Sequence, residues 1–287
     1  MSQRTANILV FDSGVGGLSI VNPIRQRLPA TTLTYLADNK LFPYGLLDEQ
    51  LLIERVTQLI ANASQQYHAD IVVVACNSAS TLALPHLREV LNIPVVGVVP
   101  AIKPAAQQSK SKVIGLLATP GTIQRDYTDD LIGDFANGCD IIRVGTSTLV
   151  NIVEEKLAGI TPAAEIFTGI IALFHHHPRW QQMDTIVLAC THFPLVIAEL
   201  AQAAPEIDHW IDAGDAIARR VQYLLENLPD SPVTADPETN NTVTNTRNIA
   251  LFTDTEKLTA PLKQSMLAFG FSQTENYSPL YWPNKSP

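Results

Sequence analysis

Cysteine is scarce in this chain, with three thiols in 287 residues. That is not the disulfide framework on which small secreted domains depend, so each thiol needs its own account as core, ligand or catalyst. Basic charge is also scarce. Nineteen Lys and Arg face 28 Asp and Glu, a formal net charge of −9, with no basic stripe, so no nucleic-acid partner is expected. No apolar run approaches the roughly 18 residues of a membrane helix. The opening "MSQRTANILVFDSG" lacks the apolar region and cleavage site of a signal peptide. The expectation is a cytoplasmic chain with no membrane partner. Its length fits two domains, and 46% hydrophobic residues suffice to bury a core.

What the sequence does have is alternation of strand and helix patterns. "NILVF" (7–11) runs into the turn Asp12-Ser13-Gly14-Val15-Gly16-Gly17, and Leu18, Val21, Ile24 and Leu28 then follow at helical spacing. "TTLTYLA" (31–37) is a strand, and Leu52, Val56, Leu59, Ile60 and Ala63 form an amphipathic stripe. "DIVVVA" (70–75) is a β-branched run suited to a strand covered on both faces. "SASTLALPHLREVL" predicts a helix and "IPVVGVV" (93–99) a further strand.

The series restarts at "KVIGLLA" (112–118), with the turn "TPGT", a helix through "DDLIGDFA" and the strand "CDIIRVG" (139–145). Helices over "TLVNIVEEKLAG" and "AAEIFTGIIALFHHH", the strand "DTIVLA" (184–189) and a helix over "PLVIAELAQAA" follow. Repeated β-α-β defines an α/β fold, here two similar doubly wound lobes related by a pseudo-twofold axis, with a site in the cleft between them. Residues 1–98 with 211–287 make the first lobe, which the C-terminal segment completes, and 99–210 the second. Residues 229–248 are polar and predict a surface loop.

Within this frame, "VVVACNSAS" (72–80) and "IVLACTHFP" (186–194) place Cys76 and Cys190 alike, after a strand and before a helix. A lone free Cys is usually a small buried hydrophobe. Two in matched frames, trailed by Asn77-Ser78 and Thr191-His192, point to function. A helix N-terminus there is expected to lower the thiol pKa. Cys139 opens a strand without polar company and is expected to be core.

"FDSGVGG" is neither G-x-G-x-x-G nor a Walker loop, so it is a tight turn. Asp12 at its strand end sits where the sheet also places the cysteines, suited to an acid or base. His192 could orient or protonate Cys190. Pro-Tyr-Gly in "DNKLFPYG" signals a turn, and Glu154 alone would be surface charge. His175-His176-His177 tempts a metal assignment. Consecutive histidines on a helix do not share a face, however, and a favourable helix C-terminus explains them better.

At this point the motifs carry a resemblance. "ILVFDSGVGGLSI", "DNKLFPYG", "VVACNSAST", "VVGVVPAIKPAA", "LLATPGTIQRDYTDDL", "VLACTHFPL" and "IDAGDAIARR" are together similar to the glutamate racemases, cofactor-independent isomerases of the aspartate/glutamate racemase superfamily. The resemblance spans about residues 7 to 225. It implies interconversion of L-glutamate and D-glutamate with no cofactor and no metal, supplying D-glutamate for peptidoglycan synthesis. Cys76 and Cys190 would be the two catalytic thiols, with Asp12 assisting Cys76 and His192 and Glu154 assisting Cys190. Cys76 would serve D-glutamate and Cys190 L-glutamate. Substrate contacts would come from Asp12, Ser13, Tyr44, Gly45, Asn77, Ser78, Thr191 and His192, together with backbone N–H groups. A homodimer follows from the family, and a cell-wall precursor as allosteric activator remains open.

Inverting Cα requires a proton removed from one face and another delivered to the opposite face. Near-attack distances of roughly 3–3.5 Å on each side set the sulfurs about 6–7 Å apart. Three alternatives make distinct demands. An aspartate racemase would use the same thiols on a shorter side chain. A partner-binding, gyrase-inhibiting protein would not require both thiols. A Cys190–His192 hydrolase would pass through a covalent intermediate and leave Cys76 idle.

Overall fold

The structure, a computed structural model, describes residues 5–44, 47–228 and 248–278. The first series comprises β1 (Asn7–Asp12), α1 (Leu18–Arg27), β2 (Thr32–Ala37), α2 (Glu49–Gln66), β3 (Ile71–Val74), α3 (Asn77–Val90) and β4 (Val95–Gly97). The second comprises α4 (Ile102–Gln108), β5 (Val113–Ala118), α5 (Pro120–Ile123), α6 (Asp126–Phe135), β6 (Asp140–Gly145), α7 (Thr148–Leu157), α8 (Ala164–Ala172), β7 (Thr185–Leu188), α9 (Ile197–Ala203) and β8 (His209–Ile211). The chain then adds α10 (Gly214–Glu226), β9 (Ile249–Phe252), α11 (Ala260–Ala268) and β10 (Gln273–Asn276).

Two parallel sheets result. One runs β10-β9-β2-β1-β3-β4 and the other β6-β5-β7-β8. Without its two added edge strands the first sheet has the order of the second, strand for strand. β1 therefore corresponds to β5, and β3 to β7. This is the duplication expected from the sequence, with one addition: β9 pairs with β2, bringing Ala250 beside Tyr35, and extends one sheet alone.

Both faces of each sheet are covered, which explains the near-continuous apolar strands. Along β1, Ile8 and Val10 enter a core that runs between the sheets, while Leu9 and Phe11 enter an outer core under α2 and α3. In the second sheet, Val113 and Leu117 of β5 join the same central core, and Ile114 and Leu116 face an outer one. α10 buries Ile217, Val221 and Leu225 at four-residue spacing and packs on α1.

Three expectations change in detail. The strand expected over 93–99 is only Val95–Gly97. The helix expected from Pro194 begins as a 3₁₀ turn, Phe193–Val196, because Pro near its start lacks an N–H and suits the tighter first turn. α8 likewise ends in a 3₁₀ turn, Leu173–His176, which holds two of the three histidines. Of the polar stretch 229–248, residues 229–247 lie outside the described residues. Asn248 accepts the Leu33 amide at 2.8 Å.

Asp184, just ahead of β7, fastens the segment that enters β5. Its carboxylate accepts the Ser109 and Thr185 hydroxyls (2.7 and 2.8 Å) and the Lys110 and Ser111 amides (both 2.8 Å). Partial burial acts to raise its pKa, but these hydrogen bonds outweigh it and hold the carboxyl at about 2. A depressed carboxyl contributes stability that is present above its unfolded value of about 3.9 and lost as pH falls towards the folded value. Asp184→Asn should therefore lower stability at neutral pH by about 1–2 kcal/mol. In urea titrations the gap from wild type should close between pH about 4 and 2. A gap independent of pH would mean that the carboxylate charge contributes nothing.

Candidate active site

The equivalence of the sheets extends past the strand ends. Cys76 stands two residues beyond β3 and Cys190 two beyond β7. Ser13 follows β1 directly and Thr119 follows β5 directly. All four line one cavity of about 190 Å³, at the carboxyl ends of the strands where open α/β sheets bind ligands. Each thiol is 7% exposed. Asn77, Ser78, Thr191, His192 and Tyr44 share the lining, so most of the expected substrate contacts converge there.

The two halves carry different auxiliary groups. Beside Cys76, the Ser13 hydroxyl lies 3.7 Å from Sγ and donates to Asp12 at 3.2 Å. Asp12 also accepts the Gly14 amide (2.8 Å) and, from the other half, the Thr191 hydroxyl (2.9 Å). Burial raises the Asp12 pKa despite the nearby His192 charge and these donors. Cys76 is the N-cap of α3, yet its thiol is pushed up to about 12. Burial is the main cause and the Asp12 charge the second, while the Ala79 amide and the Ser13 hydroxyl act in the opposite direction. The expected lowering by a helix N-terminus is thus overturned for Cys76, because desolvation outweighs the dipole. At Cys190 a four-residue 3₁₀ turn comes first and α9 begins only at Ile197, so no α-helix N-terminus adjoins the thiol.

Beside Cys190, His192 Nδ1 lies 3.9 Å from Sγ and Nε2 is 2.8 Å from Glu154 Oε1. That oxygen also accepts the Val15 amide at 2.8 Å, which ties α7 to the β1–α1 turn. Burial opposes charge on His192, but the hydrogen bonds and charges of Cys190 and Glu154 prevail and raise its pKa well above the ordinary value. Gly16 makes room for this ring: a Cβ there would fall 2.3 Å from Nδ1 and 2.7 Å from the Thr191 hydroxyl. Phe42 packs against the ring at 5.9 Å.

Tyr44 is held from beneath. Its hydroxyl donates to Asp38 (2.7 Å), which also accepts both arms of Arg55 (2.9 and 2.7 Å) and the Thr253 hydroxyl (2.7 Å). Arg55 and Asp38 are buried, and Thr253 follows the added strand β9, so the C-terminal segment helps to fix the cavity wall.

Some expected residues lie elsewhere. Asp12 is fully buried behind the wall, so it reaches the cavity through Ser13 and Thr191 and not as a direct contact. Glu154 stands behind His192. Gly45 lies outside the described residues. Cys139 precedes β6 and packs partly buried against the outer core. His175 stacks on Trp180 at 3.8 Å and His177 faces Asp140 at 3.6 Å. Among the described residues no three potential metal ligands are grouped. Thr119, Ser147 and Asn151 line the cavity without having been expected. Aligning "LLATPGT" with "VFDSGVGG" by strand end would have found Thr119, whereas Asn151 is a helix residue with no local signal.

Similarity to known proteins makes this chain a racemase. Residues 18–221 match the family described as Asp/Glu/Hydantoin racemase, and the chain belongs to that family. Similar proteins within the family include glutamate racemases. The protein of that name from Shewanella loihica is 48% identical over 267 residues, 93% of this chain and 94% of its own. That from Shewanella denitrificans is 52% identical over 219 residues, 76% and 78% of the two chains. Among solved structures, Escherichia coli glutamate racemase in complex with L-glutamate and the activator UDP-MurNAc-Ala has a TM-score of 0.87 at 40% identity. It covers 97% of this chain and all of that one.

Gly16→Ala should force His192 out of place and lower racemase activity by roughly 10²-fold, with the melting temperature little changed. Near wild-type activity would show that the ring has room to move without loss.

Proposed function

We propose that this chain is a glutamate racemase in which Cys76 and Cys190 act on opposite faces of Cα. One observation carries the mechanism: thiols from equivalent strand ends of two sheets line a single cavity. In the L-to-D direction, a Cys190 thiolate takes the Cα proton and the C–H electron pair passes into the carbanion conjugated with the α-carboxylate. The Cys76 thiol then delivers its proton to the other face. The raised pKa of Cys76 suits this donor role, and a protonated His192 is the partner that a Cys190 thiolate requires. In the D-to-L direction the roles exchange, with Asp12 assisting Cys76 through Ser13. Backbone N–H groups and the side chains of Asn77 and Ser78 would hold the substrate carboxylates and stabilise developing charge, joined by the Ser13 and Thr191 hydroxyls once these turn away from Asp12.

The proposal includes a division into lobes, residues 1–98 with 211–287 and residues 99–210, which places the cavity in a cleft that can close. It also takes in a homodimer in the cytoplasm making D-glutamate for the cell wall. The likeness to the Escherichia coli glutamate racemase structure, which holds the activator UDP-MurNAc-Ala, supports regulation by a cell-wall precursor. No helix among the described residues is long and apolar enough to cross a membrane. An aspartate racemase is disfavoured by the relatives, and a Cys190–His192 hydrolase would leave Cys76 without work.

Cys76→Ser and Cys190→Ser should each abolish racemisation of glutamate, because a serine hydroxyl is too weak an acid to serve as the base. With analogues carrying a leaving group at Cβ, elimination needs only deprotonation. Cys76→Ser should then eliminate from the L analogue alone and Cys190→Ser from the D analogue alone. If Cys76→Ser racemises normally, the two-thiol mechanism is wrong. If both variants prefer one hand, the assignment of faces is wrong.

A further inference from the structure

Among the described residues, two groups of hydrogen bonds join the part of the chain that carries Cys76 to the part that carries Cys190. In the first, Thr191 donates to Asp12 (2.9 Å), Val15 to Glu154 (2.8 Å) and Ser265 to the Leu157 carbonyl (2.9 Å). These fasten the β1 end, the β1–α1 turn and α11. The second group is a single side chain. Arg125, at the N-cap of α6, reaches across to α3. Its guanidinium donates to the Ser78 carbonyl at 3.3 Å and to the Thr81 hydroxyl. Both acceptors lie in the first turns of the helix that Cys76 caps.

Arg125 is half-buried, as a structural tie requires and a solvated surface charge does not. It lines a second cavity of about 290 Å³ that shares Tyr44, Ser78 and Gly121 with the catalytic one. It therefore stands beside the reaction space without lining it. Its charge also interacts favourably with a thiolate at Cys76.

We infer that Arg125 is a positioning residue for the racemisation: it ties the first turns of α3, and with them Cys76, to the half of the molecule that holds Cys190. The chemistry makes such a tie necessary. Two sulfurs on separate sheets must hold near-attack distances to one carbon simultaneously, and a misplacement of about 1 Å costs on the order of 10²-fold. The Asp12–Thr191 bond fixes the strand ends, whereas Arg125 fixes the helix that orients Cys76. This inference rests on the glutamate racemase proposal for its kinetic readout and on the hydrogen bonds alone for its structural one.

The test is a double-mutant cycle in the full chain with Arg125→Ala, Thr81→Val and the pair, and with Arg125→Lys as the conservative variant. Racemisation of L-glutamate is followed by circular dichroism. Arg125→Ala should lower kcat by roughly 10- to 100-fold with little change in KM and in melting temperature. Thr81→Val keeps the charge and removes one acceptor of Arg125, together with the hydroxyl's own bonds to the Asn77 and Ser78 carbonyls, so it should lose a smaller factor and the double variant clearly less than the product of the two single effects. Arg125→Lys, which can still reach an acceptor, should recover part of the rate. Hydrogen exchange should quicken in the first turns of α3 in Arg125→Ala and stay unchanged in the strands. Activity of Arg125→Ala within twofold of wild type, effects that multiply in the double variant, or unchanged exchange in α3 would overturn the inference. Should Arg125→Ala fail to fold, the cycle run on Arg125→Lys and Thr81→Val decides by the same criterion. A wild-type chain inactive on glutamate would instead refute the proposed function, and the exchange result would still judge the tie.

Discussion

Opposite faces of one carbon cannot be reached from a single strand end. This constraint accounts for most of the architecture. Two acid–base groups must point at each other across a gap the width of a substrate, and each must be anchored on something rigid. Two parallel sheets of the same strand order supply two equivalent anchor points, one after β3 and one after β7. The central core shared by the inner faces keeps the sheets together. The Asp12–Thr191 hydrogen bond then links the two half-sites at the floor of the cavity.

Equivalent backbones do not carry equivalent electrostatics. Asp12 ends β1, whereas Ala118 ends β5. Asn77-Ser78 open a full α-helix, whereas Thr191-His192 precede a 3₁₀ turn. One thiol thus sits beside a buried carboxyl and the other beside an imidazole backed by Glu154. The first environment favours the protonated Cys76 thiol, and the second favours a proton on the His192 ring beside Cys190. The proposed division into acid and base is thus one of environment, not of residue type. In the proposed mechanism one L-to-D turnover itself moves the proton inventory by one position and leaves the site set for the reverse reaction, and the hydrogen bonds of Ser13 and Thr191 to Asp12 join the two halves.

Much of this was legible in the sequence because the relevant signals are local. A β-branched run followed by Ala-Cys announces a strand end, and two of them announce equivalence. The period of the apolar residues located the helices, and the polar residues trailing each Cys located the cavity lining. Non-local partners were a different matter. Glu154 meets His192 across 38 positions, and nothing on either side of Glu154 signals the meeting. The mount under Tyr44 draws on Asp38, Arg55 and Thr253, the last 215 positions from Asp38. Arg125 likewise resembles a surface helix cap until α3 is placed beside it. The thiol pKa was misjudged for the same reason: a helix N-terminus can be read from sequence, but the desolvation that outweighs it is set by packing from both sheets.

The central claim is that one thiol removes the proton and a different one supplies its replacement. The most direct measurement is conversion of L-glutamate in D₂O, stopped early, with hydrogen and deuterium at Cα determined separately in the L and D pools. The account predicts D-glutamate deuterated at Cα from the first turnovers, while the remaining L-glutamate keeps its hydrogen. D-glutamate that retains the original hydrogen would mean that a single group carries the proton from one face to the other, and would contradict the account.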